Sequence, residues 1–138
     1  MKAFIVLMSL VCTLFAINSV DAAFVLGFHE DYPTALAQAK KEKRVLMLVI
    51  IKDPCRHSER MVYDTLSDPK VVDALKDFVS VIVDKDVILP SALKVEFVPM
   101  IYFIDPNKEE GMWERMGYVS VEKFLDDLKE VLILYKQK

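Results

Sequence analysis

The sequence predicts an α/β domain with a central mixed four-stranded β-sheet, with room for one extra strand, flanked by helices on both faces. Three observations carry that prediction. Val45-Leu46-Met47-Leu48-Val49-Ile50-Ile51 is an unbroken apolar run, the mark of a strand buried on both faces. Segments of helical period separate it from a second apolar run, Val79 to Val83. Asp105-Pro106-Asn107-Lys108 then joins two further strand-like segments through turn residues. Strands alternating with helices imply a sheet covered on both faces, and the closing hairpin makes it mixed rather than wholly parallel.

The elements follow in order along 138 residues. Met1-Lys2 gives a short positive start, and Ala3 to Ala16 is apolar apart from Ser9 and Thr13. Val20-Asp21-Ala22 then offers residues a signal peptidase reads, so residues 1–22 are expected to be a cleaved leader. The run is short for a membrane span, although an uncleaved anchor is the competing reading. Cys12 is not a convincing lipid-attachment site, because Val11 precedes it where a small residue is needed. Residues 23–138 then form one domain. Asp31 caps a helix from Pro33 to about Lys43, with the proline in its first turn. The first strand, Val45 to Ile51, leads into a helical stretch from Cys55 to about Leu66. Ser67-Asp68-Pro69 starts the next helix, with Val71, Val72, Leu75 and Phe78 on its apolar face. Val79 to Val83 is the second strand, followed by an irregular connection through Lys85 to Glu96 with one helical turn after Pro90. Met100 to Ile104 and Met112 to Met116 form the hairpin. The last helix starts at Ser120 and carries Val121, Phe124, Leu125, Leu128, Val131, Leu132 and Tyr135 on one side.

Composition narrows the function. The net charge is −3, and nothing basic enough for nucleic acid is present. Lys40-Lys41-Glu42-Lys43-Arg44 reads as a solvated helix end that suits the dipole. His29 and His57 are the two histidines, and neither a nucleophile elbow nor a phosphate-binding glycine loop occurs, so hydrolase and nucleotide-binding functions find no support. Once the leader is removed, Cys55 is the one thiol, in a compartment that favours disulfides. It is either buried and inert or reactive toward another molecule.

Cys55 lies in Lys52-Asp53-Pro54-Cys55-Arg56-His57-Ser58-Glu59-Arg60, just past the first strand and at the opening of a helix. Sheets of this kind place chemistry beyond the carboxyl ends of their parallel strands. Unpaired amides at a helix start favour an anion. Arg56, His57 and Lys52 add positive charge, with Asp53 and Glu59 opposing. Such surroundings bring a cysteine pKa down from about 8.5 toward or below 7. The resulting thiolate would attack a disulfide or a sulfenic acid. The charged flanks favour this over the buried hydrophobe that a cysteine can also be.

At these residues the sequence resembles a known family. Cys55-Arg56-His57-Ser58 looks like the CxxC motif of thioredoxin-like proteins with its second cysteine replaced by serine. Asp31 to Lys43 resembles the lead-in helix of the exported thioredoxin-related proteins, and Ser67-Asp68-Pro69-Lys70-Val71-Val72 is similar to the start of the family's second helix. Val98-Pro99 stands where the family has its cis-proline loop, ahead of the strand Met100 to Ile104, and Gly117-Tyr118 before the last helix also fits. The resemblance covers about Asp31 to Glu130 and implies a thioredoxin-like fold. It implies that Cys55 is the nucleophile, with Arg56, His57 and Ser58 as its motif neighbours. His57 stands where strongly oxidising relatives carry a histidine, and would stabilise the thiolate or simply face solvent. Pro99, if cis, would pack beside Cys55 and present the Val98 backbone to an extended peptide. An ordinary trans turn is the alternative.

The departures matter. Ser58 cannot attack a mixed disulfide, Arg56 replaces the proline or small residue of many relatives, and Val45 to Ile51 lacks the buried acid common in thioredoxins. What remains is monothiol exchange, through a mixed disulfide with a client protein or glutathione, released by a second thiol or a recycling oxidoreductase. No cofactor, metal, nucleic acid or membrane partner is expected after leader removal. Anterior gradient proteins share a serine-terminated motif, but Tyr135-Lys136-Gln137-Lys138 is no retention signal, and a bacterial periplasmic location is expected. The competing class is a redox-inactive peptide-holding or assembly module. A soft-metal site from Cys55, His57, Met61, Met100, Met112 and Met116 is a third reading, though methionines more often fill cores. Trp113, Tyr102 and Tyr118 are read as packing residues before a client surface.

Overall fold

The computed structural model describes residues 17–137. Helix α1 spans Ser19–Leu26, α2 Tyr32–Glu42, and strand β1 Val45–Ile51. Helix α3 begins as Arg56–Arg60 and continues as a π-helical turn, Met61–Leu66; α4 is Pro69–Ala74, followed by a 3₁₀ turn, Leu75–Asp77. Strands β2, β3 and β4 are Phe78–Asp84, Met100–Asp105 and Glu110–Met116, and α5 is Val121–Lys136. Among the described residues no helix is long and apolar enough to cross a membrane.

The strand order is β2-β1-β3-β4. Strand β1 is parallel to β2, from Val45↔Phe78 to Ile51↔Asp84, and antiparallel to β3, from Leu46↔Ile104 to Ile50↔Met100. The extra strand survives as one parallel bridge, His29↔Val81 on the outer side of β2. His29 N donates to the Ser80 carbonyl at 2.9 Å, and Ile82 N to the His29 carbonyl at 3.0 Å.

Strand β1 is buried along its whole length, and its alternation sorts the core into two layers. Val45, Met47, Val49 and Ile51 pack with side chains of α1, α3, α4 and α5. Leu46, Leu48 and Ile50 pack with Tyr32, Ala35 and Ala39 of α2 and with Leu93. In the first layer the Phe103 ring meets Phe78 edge-on at 5.8 Å between centroids and lies tilted against Phe124 at 6.3 Å. Full burial of such a side chain contributes about 1.5–3 kcal/mol.

The helix starts follow local chemistry. The carboxylates of Asp31 and Asp68 accept from the amides of Thr34 and Lys70, and the Ser120 hydroxyl accepts from that of Lys123, each satisfying an orphan donor. Asp105 Oδ1 accepts from Asn107 N at 3.0 Å and shapes the β3–β4 turn. Between Phe103 and Ile104 the register slips by one residue, so Met112 and Trp113 both pack against the same layer.

Three expectations are corrected. Phe78 opens β2 instead of belonging to the preceding helical face. Val72 is half exposed, because the buried side of α4 and the following turn runs through Val71 and Leu75 and leaves the adjacent Val72 turned outward. After Pro90 no helix forms; the chain makes a single turn, closed by Leu93 N donating to the Pro90 carbonyl at 2.9 Å. Of the expected leader, residues 1–16 lie outside the described residues. Its remaining part is folded: Ile17 and Ala22 are buried against the first core layer, and α1 runs through the expected cut.

Candidate functional site

Cys55 is reached from β1 through Lys52-Asp53-Pro54, with a cis bond between Asp53 and Pro54. Lys85 N donates to the Ile51 carbonyl at 2.8 Å and fixes the end of the strand from which this segment departs. Cys55 is the N-cap of α3 in extended conformation, φ −152° and ψ 115°, and its carbonyl accepts from Glu59 N at 3.0 Å. The thiol is half-buried and makes no disulfide.

Burial alone would push the Cys55 thiol up. It is outweighed by the Ser58 hydroxyl and by the backbone amides of Ser58 and His57, which together hold the pKa below its ordinary value, with Glu59 opposing. Ser58 is fully buried, while its neighbours Arg56 and His57 are exposed. Its hydroxyl finds no well-aligned hydrogen-bond partner, yet it stands beside Cys55 as a donor that a thiolate can use. The charge relief at the sulfur therefore comes from Ser58 and two main-chain amides. Arg56 and His57 flank it in solvent.

The helix behind Cys55 is pinned at its far end. The Thr65 hydroxyl donates to the Val119 carbonyl at 2.6 Å in a fully buried bond. The Arg60 guanidinium lies 4.2 Å from the centroid of the Tyr118 ring.

Val98 and Pro99 precede β3, and their peptide bond is cis. Because Met100 pairs with Ile50, this segment lies at the same end of the sheet from which Cys55 emerges. Pro99 is buried and its carbonyl accepts from Gly117 N at 2.8 Å; Val98 is half-buried against the second core layer. The β2–β3 connection carries exposed apolar side chains that sequence reasoning missed: Ile88, 96% exposed, and Phe97, 61%, the latter directly ahead of Val98. Their signal was their presence in a loop with no apolar period.

Most of the other candidates lie in or against the core, while Met116 is half exposed. Tyr102 is buried and its hydroxyl donates to the Lys94 carbonyl at 2.5 Å, and Trp113 packs against the first layer. Met61 and Met100 belong to opposite layers, separated by the sheet.

A mixed sheet in the order β2-β1-β3-β4, with a cysteine capping the helix after its central strand, defines a protein of the thioredoxin fold. The chain belongs to the thioredoxin-like family, whose sequence pattern matches residues 28–106. It is similar to a thioredoxin from Thermus thermophilus, with 25% identity and a TM-score of 0.65 over 77% of this chain and 87% of that one. It is also similar in fold to the oxidised C-terminal domain of DsbD from Neisseria meningitidis, with 16% identity and a TM-score of 0.61 over 75% and 97% of the two chains. A third structure, the DsbH oxidoreductase, aligns with 18% identity and a TM-score of 0.59 over 86% and 88%. No curated protein matches the sequence.

Proposed function

We propose that this protein is an exported, periplasmic monothiol thiol–disulfide exchange protein acting through Cys55. The observation that carries this reading is the half-buried Cys55 thiol, with the Ser58 hydroxyl and two backbone amides arranged to favour its thiolate. The fold family and its Dsb-type structural neighbours support the reaction class.

In the forward step the Cys55 thiolate attacks one sulfur of a client or glutathione disulfide. A new S–S bond forms to Cys55, and the other sulfur leaves as a thiolate and takes a proton. A second thiol, from the client, glutathione or a recycling oxidoreductase, then attacks the mixed disulfide and releases Cys55. Ser58 cannot perform that release, so the second thiol comes from outside. Cys55 is the nucleophile, Ser58 its hydrogen-bond donor, and Arg56 and His57 its exposed flanks. Val98 and Pro99 form the peptide-facing edge. The chemistry needs no cofactor. Export rests on the leader at residues 1–22.

The test is the pH dependence of Cys55 alkylation. An apparent pKa below about 7 is the expected result. A value near or above 8.5, or a thiol that reacts only after unfolding, would sink the reading.

A second reading is a redox-inactive peptide-holding module, favoured by the exposed Phe97 side chain directly ahead of Val98-Pro99 and by exposed Ile88 in the same connection. Cys55→Ala discriminates: unchanged partner capture and phenotype would select the module.

A further inference from the structure

Ser58 is an anomaly for an ordinary helix serine. Its side chain is fully buried, and its hydroxyl has no well-aligned partner among the described residues. A buried hydroxyl left so costs about 1–3 kcal/mol. Serines in helices usually avoid this by donating to a carbonyl one turn earlier or by turning to solvent. Ser58 does neither: it is the third residue of the helix that Cys55 caps, and side chains three apart lie on one side of that first turn, so the buried hydroxyl neighbours the Cys55 sulfur. Cys55 itself is open enough for a small molecule to reach, and among the described residues it is the one cysteine. An oxidised sulfur at this position thus has no thiol partner within the described fold to condense with.

We propose that Cys55 is oxidised by hydroperoxides to a sulfenic acid that persists because the Ser58 hydroxyl donates a hydrogen bond to the newly attached oxygen. The inference rests on the reading of Cys55 as an accessible nucleophile. The thiolate attacks the outer oxygen of ROOH, the S–O bond forms and the O–O bond breaks. The sulfur loses two electrons, and the departing alkoxide takes a proton from water to become ROH. An external thiol, R′SH, then attacks the sulfenic sulfur, expels water and leaves a Cys55–R′ mixed disulfide. This is the same kind of intermediate that thiol–disulfide exchange produces, reached here from a peroxide. A second thiol releases Cys55, so the sum is one peroxide and two thiols converted to an alcohol, a disulfide and water. A cysteine at position 58 would close an internal disulfide instead. Serine supplies a donor with no such exit, so the sulfenic acid waits for an outside thiol.

The test uses the reduced full chain, hydrogen peroxide and mass spectrometry, with a dimedone-type nucleophile to trap the intermediate. The expected result is a trappable species carrying one added oxygen. In Ser58→Ala its further oxidation should be faster by roughly three- to tenfold, the range set by the net worth of one ordinary hydrogen bond. A folded Ser58→Ala with an equal or longer sulfenic lifetime overturns the proposal, as does a wild-type thiol that yields no trappable intermediate. Ser58→Cys gives a measurement independent of Ser58→Ala folding. Peroxide should close an internal disulfide there, and failure to do so would show that side chain 58 does not reach the sulfur. Exchange with glutathione disulfide is measured in parallel. Exchange without a sulfenic acid defeats this inference alone; the absence of both defeats the monothiol reading as well.

Discussion

Arg115 on β4 and Asp127 on α5 form a two-pronged ion pair, with Nε donating to Oδ2 at 2.7 Å and a terminal guanidinium nitrogen to Oδ1 at 2.5 Å. Asp127 is almost fully buried and the Arg115 side chain is one-quarter exposed. The pair clamps the last helix to the outermost strand. Asp127→Ala should lower stability by about 2–4 kcal/mol, because it strands a guanidinium in a largely dry site. Denaturant unfolding checks this, and the loss should be smaller in an Arg115→Leu background.

The Thr65–Val119 bond ties the π-helical turn to the entry of α5. Thr65→Val keeps the shape and removes the donor, leaving a buried carbonyl unpaired. A loss of about 1–3 kcal/mol is expected. The alkylation rate of Cys55 should change little, since the helix start is set locally by its own amides.

Cys55 predicts a pH dependence of stability. Burial would raise its pKa, but the Ser58 hydroxyl and the Ser58 and His57 amides lower it overall in the folded state, against Glu59. A depressed folded pKa adds stability that is fully present above the unfolded thiol value, about 8.5, and is lost as pH falls through the folded value. The stability gap between the wild type and Cys55→Ala should therefore shift in favour of the wild type as pH rises from neutrality toward that limit. A gap independent of pH would contradict the shift. Ser58→Ala should shrink the same pH-dependent component.

The residues ahead of α2 give a fourth test. Ile17 and Ala22 are buried in the first core layer. A chain beginning at Ile17 should be more stable than one beginning at Ala23 by about 1.5–3 kcal/mol, the worth of one large buried aliphatic side chain. Thermal melts of the two decide it, and N-terminal sequencing of the protein isolated from cells shows where the mature chain starts.

Much of the fold was legible because its signals are local. The apolar run Val45–Ile51 is β1 to the residue, and Asp31, Asp68 and Ser120 each cap the helix their sequence announces. Cys55 was placeable at a helix start for the same reason. Other features depend on partners distant in the chain. Phe78 could extend a helical stripe or open a strand, and pairing with Val45 decides it. Helix α1 was hidden inside a stretch that also reads as a leader. The burial of Ser58 could not be read at all, because it depends on how α3 seats on the sheet. That burial leaves the Ser58 hydroxyl without a well-aligned partner one helical turn from Cys55.

The two margins of the sheet have a consequence for behaviour in a crowded compartment. An unpaired strand edge is a template on which another chain can add itself, and repeated addition leads to aggregates. On one side His29 occupies part of that template, satisfying the Ile82 amide and the Ser80 carbonyl of β2. On the other, β4 carries Glu110, Glu114 and Arg115, whose charges resist a close-packed neighbour. Loss of the His29 segment would expose β2 as a sticky border even though the Cys55 end of the molecule stayed intact.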